Sequence, residues 1–483
     1  MNLTKTALGR LLAVLFAFAL VAAACGDDGD DEAGEGEDSA AVDTDSGDDD
    51  EGGDSSDGDD SSDDDAMADD DDSGDAMAEH ISDDCPIPNP EEEVEIDLLG
   101  WSFPVVDEFA KQLEECGEGN YSFNVQFLDS TEARNQATLD LATGDPSFEI
   151  IQGSNSFIVE LANQDLLRPL NDFIDKYGDE FDLDQIDQSF YDLGSVDGNV
   201  YAIPMVSNTM HVFYNEAKMD ELGLTVPTTF DEAIAQCADL EEAGVAGFAI
   251  MASAGWAWQI EFDNVLGSMG VDPVDPETGQ PNFNSPEGIA AANVLVDVLE
   301  SCGGSTAGSY STDDIQNAFQ TEEYIVGQTW ASRAAAMDDP EASLVVDGIK
   351  FAPALSTGGD ILAAPAFMDG YGIPAGIDDV LAEQIFLAIM AAADVESQEA
   401  AAAHSTVTRT GISNADGPRN GEAVETSLVN GKGPDIAHPA AGLARAEIGN
   451  ALITILDGVS VEDALAAAEE AYLAEAEAQD LLG

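Results

Sequence analysis

Along residues 91–205, segments with the apolar spacing of a strand alternate with segments that have the apolar spacing of a helix. Val94, Ile96 and Leu98 are separated by single acidic residues, which predicts a strand with one buried face. The predicted strands are residues 94–98, 124–128 and 148–151, and the predicted helices are residues 105–116, 131–143 and 157–164. Strands that alternate with helices in this way predict an α/β fold with a mostly parallel sheet.

The segment 198–216 has a different pattern, in which a polar break separates two short apolar runs. The first run leads up to Pro204, residues 206–209 form the break, and the second run begins at Met210. A proline inside an apolar run is confined to edge strands and bends. We therefore interpret this segment as a connector between two lobes.

Residues 229–479 continue the alternation of helices and short strands. Thr229 and Glu232 have the spacing of a capping box, and Ser285 precedes a proline at a predicted first helical position. The predicted helices are residues 229–242, 256–269, 286–299, 312–319, 380–392, 447–456 and 461–479, and the predicted strands are residues 248–251, 324–329 and 367–374. Residues 349–353 and 406–412 are interpreted as a second and a third crossing between the lobes.

The first 25 residues have the pattern of an export signal. Lys5 and Arg10 precede an apolar run at residues 11–21, which is too short to span a membrane as a helix. The sequence Ala22-Ala23-Ala24-Cys25 resembles a bacterial lipobox, so residues 1–24 are predicted to be a lipoprotein signal peptide and Cys25 to carry the lipid. Ordinary signal cleavage, with Cys25 removed or left free, is the alternative.

Acidic residues dominate the composition and limit what the chain can bind. The chain has 13 Lys and Arg against 100 Asp and Glu, and it lacks the basic patches that bind nucleic acid or an anionic membrane surface. Residues 26–84 contain 29 of these acidic residues and almost no large apolar side chain. We expect residues 25–90 to be a disordered acidic tether. Solubility in a salty habitat explains the remaining acidity, and a cationic partner is the alternative.

The cysteines and motifs argue against a metal centre and against catalysis. Four cysteines follow Cys25, namely Cys85, Cys116, Cys237 and Cys302, and an even number in an exported chain predicts two disulfides. Their spacing has no C-x-x-C pair and the four histidines are scattered, so we expect no metal site. No GxxxxGK, GxGxxG, HExxH or GxSxG motif points to a cofactor or to an enzyme. A secreted carbohydrate-active hydrolase is the enzyme alternative.

Three stretches of the sequence have a recognisable pattern. They are DG…YAIP…N…FYN within residues 197–215, LATGDPSFEII at residues 141–151 and ELANQDLLRPLNDFI at residues 160–174. All three resemble bacterial extracellular solute-binding proteins of the maltose-binding class. Ser147, Phe148 and Glu149 depart from the family's usual Pro-Asp pair. The resemblance covers about residues 91–478 and implies a two-lobe periplasmic-binding-protein fold with three hinge crossings and a cleft between the lobes. It implies lobe 1 at residues 91–205 plus 352–408, and lobe 2 at residues 206–351 plus 409–483.

The resemblance also implies a function. It indicates the substrate-binding lipoprotein of an ABC importer, which captures a neutral sugar, oligosaccharide or polyol by hinge closure and delivers it to two membrane permease subunits. Such a protein is a monomer outside the cytoplasmic membrane, held there only by the lipid on Cys25. Since bridges between lobes would oppose closure, the implied pairs are Cys85–Cys116 and Cys237–Cys302. A ligand-sensing subunit and a binder of a cationic or other small solute, such as a polyamine, are the alternatives. A ferric-iron binder is disfavoured, because no adjacent tyrosine pair follows the later hinge.

A sugar cleft needs aromatic rings for stacking and polar groups for the hydroxyls. The predicted ligand-binding residues are Trp101, Asn208, Trp256, Trp258, Trp330, Arg333, Asp369, Tyr371 and Arg409, with Gln152, Ser154 and Asn155 as weaker candidates. Only one of Trp256 and Trp258 is expected to reach the ligand, since we interpret the segment as extended, with the two side chains on opposite faces. An arginine in the cleft is expected to pair with an acidic ligand or with Asp369.

Overall fold

The structure is a computed structural model that describes residues 81–82, 85, 87–303, 307–412, 419–436 and 438–483. The predicted signal peptide, Cys25 and the predicted tether before Ile81 lie outside the described residues. The sequence predicts a tether that extends to residue 90, but Cys85 and Ile87 are fully buried in the core of the first lobe, so the folded part begins earlier than predicted. Within the described ranges, no helix is long and apolar enough to cross a membrane.

Strands and helices alternate along most of the described chain. The strands are β1 (Val94–Gly100), β2 (Tyr121–Phe127), β3 (Ile150–Ser154), β4 (Ser195–Val196), β5 (Asn199–Val200), β6 (Ile203–Asn208), β7 (Met210–Asn215), β8 (Ala246–Ala249), β9 (Tyr324–Trp330), β10 (Ile349–Ala352), β11 (Leu362–Pro365), β12 (Phe367–Gly372) and β13 (Gly431–Gly433). The helices are α1 (Pro104–Glu115), α2 (Ser130–Leu141), α3 (Asn155–Asn163), α4 (Asn171–Tyr177), α5 (Gln188–Leu193), α6 (Glu216–Leu222), α7 (Phe230–Glu242), α8 (Trp256–Ser268), α9 (Pro286–Cys302), α10 (Thr312–Gln320), α11 (Asp379–Ala393), α12 (Val395–Ala401), α13 (Gly421–Asn430), α14 (Ala441–Leu456) and α15 (Val461–Ala478).

A five-stranded sheet organises the first lobe, with the strand order β2-β1-β3-β12-β6. β1 pairs in parallel with β2 and β3, as the alternation of strands and helices predicts. β12 is antiparallel to both β3 and β6 because it returns from the other lobe. The alternating side chains Val94, Ile96 and Leu98 are all buried, which confirms the strand predicted there.

A four-stranded sheet organises the second lobe, with the strand order β10-β7-β9-β8. β7 is antiparallel to β9 and β10, and β8 is parallel to β9. Each lobe has its own hydrophobic core, one around β1, β3 and α11 and the other around α7, α8, α9 and α14. Separate cores allow the lobes to move as units about the segments that join them.

Three segments join the lobes. β6 belongs to the first sheet and β7 to the second, so the first crossing is at Thr209. The chain returns at Ala366, between β11 and β12. The side-chain hydroxyl of Thr209 donates a hydrogen bond of 2.7 Å to the carbonyl of Pro365, so the two crossings lie side by side. The third crossing falls after Ile412, where residues 413–418 lie outside the described part of the chain.

The second and third crossings differ from the sequence prediction. Residues 349–353 are not a crossing, because Ile349–Ala352 is strand β10, paired with β7 inside the second sheet. The first lobe therefore resumes at Phe367 rather than at residue 352. Residues 406–412 still belong to the first lobe, since Val407 and Arg409 bridge to Val206 and Ile186. A short apolar run marks a buried strand as readily as a connector, and only its pairing decides between the two.

Each lobe contains one disulfide. Cys85 is bonded to Cys116 in the first lobe, and Cys237 is bonded to Cys302 in the second. This is the pairing that the resemblance implies. Neither bond joins one lobe to the other, so both leave the crossings free to bend.

Candidate functional site

A cleft between the two lobes is the candidate ligand site. Both lobes and the second crossing contribute to its walls, and the lining residues are Trp101, Phe103, Ser130, Arg134, Ser154, Asn208, Trp256, Thr312, Trp330, Ser332, Arg333, Phe367 and Asp369. The space left for a ligand is about 40 Å³, which has room for only a few water molecules. The lobes are therefore closed on each other in this conformation, and a larger ligand requires them to open.

Two stacked tryptophans form the aromatic wall contributed by the second lobe. The rings of Trp256 and Trp330 are 5.9 Å apart and inclined by only 12°. The ring of Phe367, at the second crossing, meets Trp330 edge-on at 5.1 Å. Trp330 is the last residue of β9, and Trp256 begins α8 directly after Gly255, whose φ of 92° suits glycine. This wall offers apolar ring faces of the kind that bind sugars.

Arg134 is the polar residue most enclosed by rings. It lies on α2, which begins with the side chain of Asp129 accepting a hydrogen bond from the amide of Thr131. Its guanidinium carbon is 5.2 Å from the ring centroid of Trp101 and 4.9 Å from those of Phe157 and Trp256. One of its terminal nitrogens donates to the hydroxyl of Ser154 at 2.7 Å. Burial lowers the pKa of Arg134 to about 10, which still leaves the group charged at neutral pH.

Arg333 and Asp369 place further charge in the cleft. Arg333 ends a short 3₁₀ turn after β9, and its Nη1 contacts Asp313 Oδ1 at 2.9 Å and Gln316 Oε1 at 3.0 Å. Asp369 lies on β12 and is buried. Burial raises the pKa of its carboxyl to about 7, while the guanidinium groups of Arg134 and Arg333 act to lower it. Asp369 can therefore accept a hydrogen bond when ionised or donate one when protonated.

Asn208 connects the two lobes at the base of the cleft. Its amide nitrogen donates to the hydroxyl of Ser332 at 3.1 Å, and its amide oxygen accepts from the backbone amides of Thr209 and Ser332 at 3.0 and 3.3 Å. Asn208 is the last residue of β6, next to the first crossing. The two hydrogen bonds to Ser332 therefore connect the end of β6 with the turn after β9 in this closed conformation.

Trp258 does not reach the cleft. Its side chain is fully buried in the core of the second lobe, whereas Trp256 lines the cleft. As expected, the side chains of Trp256 and Trp258 face in different directions, but the expected cause, an extended segment, is wrong. The segment is the start of helix α8, and residues two apart on a helix differ by about 200° around its axis. On an extended strand they would share a face.

Tyr371 and Arg409 also lie away from the cleft. Tyr371 packs in the core of the first lobe, where burial raises the pKa of its hydroxyl. Its backbone pairs with Gln152 and Ile203, two residues deeper into the sheet than Asp369. Arg409 donates its hydrogen bonds to backbone carbonyls of the first lobe, namely those of Phe181, Asp182 and Ala393. It therefore anchors residues 406–412 rather than facing a ligand.

Several lining residues are absent from the predicted set. They are Phe103, Ser130, Arg134, Thr312, Ser332 and Phe367, while Ser154 was only a weaker candidate. The scarcity of basic residues, which singles out Arg333 and Arg409, also applies to Arg134. Phe103 is two residues after Trp101, and that spacing places both at the carboxyl end of β1. No comparable sequence feature identifies the remaining lining residues, which are Ser130, Thr312, Ser332 and Phe367. Among the described residues, no group of three or more His, Cys, Asp or Glu side chains is arranged to hold a metal.

One curated protein of known function is similar in sequence over part of the chain. The multiple sugar-binding protein of Streptococcus mutans is 27% identical over 158 residues, which span 30% of this chain and 37% of that protein. The match therefore covers well under half of the curated relative.

Solved structures show the same fold over nearly their whole length. An ABC transporter solute-binding protein from Agrobacterium radiobacter, in complex with ribitol, has a TM-score of 0.68 at 20% identity over 79% of this chain and 99% of its own. One from Agrobacterium vitis with bound D-mannitol has a TM-score of 0.68 at 20% identity, over 80% and 99% of the two chains. Maltose-bound MalE3 of T. maritima has a TM-score of 0.66 at 20% identity, over 78% and 98%.

The family model for bacterial extracellular solute-binding proteins matches residues 102–377. This range contains strands β2 to β12, the first two crossings and every lining residue of the cleft except Trp101. Together with the two-lobe architecture, the match shows that the chain belongs to the bacterial extracellular solute-binding proteins.

Proposed function

We propose that the protein is the substrate-binding lipoprotein of an ABC importer for a sugar, an oligosaccharide or a polyol. It captures the ligand between the lobes by hinge closure and delivers it to two permease subunits in the cytoplasmic membrane. It carries out no chemistry on the ligand and acts as a monomer.

The composition of the cleft is the observation that carries this proposal. Stacked indole rings provide apolar faces, while Arg134, Arg333 and Asp369 provide donors and acceptors next to them. Sugar rings present apolar faces and hydroxyl edges together, and this mixture of surfaces is complementary to them. The bound ribitol, D-mannitol and maltose named for the structural neighbours support the same ligand class.

Export and anchoring complete the proposal. The family is extracellular, and Lys5, Arg10 and the apolar residues 11–21 provide the signal that directs the chain outward. Cys25 carries the lipid that holds the protein at the outer face of the membrane. The acidic residues that follow Cys25 act as a tether between the lipid and the lobes, and this tether ends before Cys85 and Ile87, which are buried in the first lobe. Reading frames for two permeases next to the gene would distinguish delivery to an importer from presentation to a sensor.

A thermal-shift screen of sugars, oligosaccharides and polyols tests the ligand class. A ligand that binds only the folded state raises the melting temperature with increasing concentration. Spermidine belongs in the same screen as a representative cation. Any hit is then titrated by calorimetry against the wild type and a Trp256→Ala variant. A shift with spermidine alone, or no shift with any carbohydrate, would contradict the proposal.

A further inference from the structure

Positive charge exceeds negative charge among the side chains that line the cleft. Arg134 and Arg333 face it, and Asp369 is the one carboxylate among the described lining residues. Basic residues are rare here, with 13 Lys and Arg in the whole chain. Two of the thirteen therefore line one small cavity in a strongly acidic protein.

Among the residues that the structure describes, Arg134 forms no ion pair with a carboxylate, although the charges of Glu160, Asp369 and Asp435 act on it from a distance. Within the described residues, its one recorded hydrogen bond is to the hydroxyl of Ser154, and its Nε is buried without a partner. The nearby Glu160 is 3.8 Å from Arg445 of the second lobe. A buried guanidinium is costly unless it is paired and hydrogen-bonded. The rings of Trp101, Phe157 and Trp256 offset part of this cost through cation–π contacts.

Arg333 also has hydrogen-bond donors that its polar contacts do not use. Its recorded polar contacts, to Asp313 and Gln316, both use Nη1. Asp313 lies at the rim, with 52% of its side chain exposed, so solvent screens this pair. The planar guanidinium retains Nε and Nη2, which together form the edge that binds a carboxylate with two parallel hydrogen bonds.

The charge of Asp369 does not neutralise the charges of Arg134 and Arg333. Burial holds the pKa of its carboxyl near 7 even with both guanidinium groups acting to lower it. Part of the protein therefore has a neutral Asp369 near neutral pH, and the side chains that line the cleft then carry two positive charges and no negative charge.

We infer that the ligand is an acidic sugar, a uronate or an aldonate, whose carboxylate binds between Arg134 and Arg333 while its carbon skeleton lies against the tryptophan wall. This inference rests on the proposed function and names the ligand class of the same cleft. The same charge balance disfavours a cationic ligand, because a cation would meet two guanidinium groups and one carboxyl in the cleft.

Matched acid and neutral pairs test the inference in the full-length protein. D-galacturonate is titrated against D-galactose, D-glucuronate against D-glucose, and D-gluconate against sorbitol, all at pH 7.5. At least one acid is expected to bind tenfold or more tightly than its neutral partner. Glucose 6-phosphate and inorganic phosphate serve as further probes, and tighter binding of either than of every carboxylate would reject the carboxylate assignment.

The failure of the inference is distinct from the failure of the proposed function. Binding of the neutral member of every pair as tightly as the acid would overturn the acidic-sugar inference and leave the sugar-binding proposal standing. Binding of no carbohydrate, acidic or neutral, would overturn the proposed function itself.

Arginine variants provide a second, independent measurement. Arg134→Gln and Arg333→Gln retain polar contacts but remove one charge each, so each is expected to reduce affinity for the acid at least thirtyfold and affinity for its neutral partner much less. Arg168→Gln is the matched control, because Arg168 pairs with Asp379 outside the cleft. Equal losses for acid and neutral ligands would contradict a carboxylate site. If one cleft variant fails to fold, the other variant and the wild-type comparison still decide the question.

Discussion

The guanidinium carbon of Arg134 lies 4.9 Å from the ring centroid of Trp256, and the two side chains belong to different lobes. Arg134 extends from α2 of the first lobe, whereas Trp256 lies in the first turn of α8 in the second. The contact therefore exists only while the lobes are closed. Because both side chains also line the cleft, the same pair reports on closure and on the contents of the site.

Trp256 and Trp258 are expected to give opposite mutational signatures. Trp256→Ala removes a ring of the cleft wall from a partly exposed position, so it should weaken ligand binding by about 2–4 kcal/mol with a small change in melting temperature. Trp258→Ala removes a fully buried core ring and should cost about 3–5 kcal/mol of stability with little change in the affinity of the folded protein. Calorimetry and melting of the ligand-free variants measure both quantities. The reverse pattern would show that the cleft is assigned to the wrong tryptophan.

Trp330→Ala is expected to reduce both stability and affinity. Trp330 follows the strand predicted at residues 324–329, and this position at the edge of a lobe predicts that its loss leaves the fold nearly intact. In the structure Trp330 is buried, stacked on Trp256 and in edge contact with Phe367. Truncation should therefore lower the free energy of unfolding by about 3–5 kcal/mol as well as weaken binding. Unchanged chemical denaturation of the ligand-free variant would contradict this.

Glu261 gives a prediction about pH. Its side chain is fully buried on α8. One carboxyl oxygen accepts a hydrogen bond from the backbone amide of Met251 at 3.1 Å, and the other has no partner among the described residues. Burial raises the pKa of the carboxyl from 4.5 to about 8. Between these values the folded state keeps a proton that the unfolded state releases, so this group reduces stability as pH rises from about 4.5 to 8.

Glu261→Gln removes this dependence, because the amide is neutral at every pH. The variant should be close to the wild type near pH 5 and exceed its unfolding free energy by about 3–5 kcal/mol at pH 8.5, since each pKa unit corresponds to about 1.4 kcal/mol. Urea denaturation at both pH values measures the difference. Glu470→Gln, on the exposed face of α15, is the control. A gain of equal size at both pH values would mean that titration of Glu261 is not its cause.

The second-lobe disulfide is expected to stabilise that lobe without affecting closure. Cys237 and Cys302 are 65 residues apart in sequence and both lie on helices of the second lobe. Replacing both with alanine should lower the unfolding free energy by about 2–4 kcal/mol and leave ligand affinity nearly unchanged. Peptide mapping of the oxidised wild type checks the pairing. A peptide that joins Cys116 to Cys237 would refute it.

Cys25→Ser tests the anchor. Without the thiol no lipid can be attached, so the variant should appear in the medium or remain an unprocessed precursor, while the wild type stays with the membrane. Cell fractionation and mass spectrometry of the mature N-terminus measure this. Wild-type protein that lacks both the lipid and Cys25 would show that ordinary signal cleavage takes place.

The sequence by itself determined the elements and the first crossing. Val94, Ile96 and Leu98 alternate with acidic residues, and this spacing can bury one face of a strand and expose the other. The proline and polar break between Ile203 and Met210 mark the place where the chain leaves the first sheet and enters the second. These features are local, because they depend on side-chain periodicity and backbone constraints within a few residues.

Only the tertiary structure decided which side chains meet in the cleft. Asp369 and Tyr371 are two residues apart on β12, yet Asp369 lines the cleft and Tyr371 packs in the core of the first lobe. The reason is that β12 runs from the crossing into the sheet, and its register against β6 shifts after Asp369. Arg134 has the sequence context of an ordinary helix surface, and it becomes a cleft residue only where α2 meets the other lobe. Contacts between residues far apart in sequence depend on pairing and lobe closure, and no local pattern specifies them.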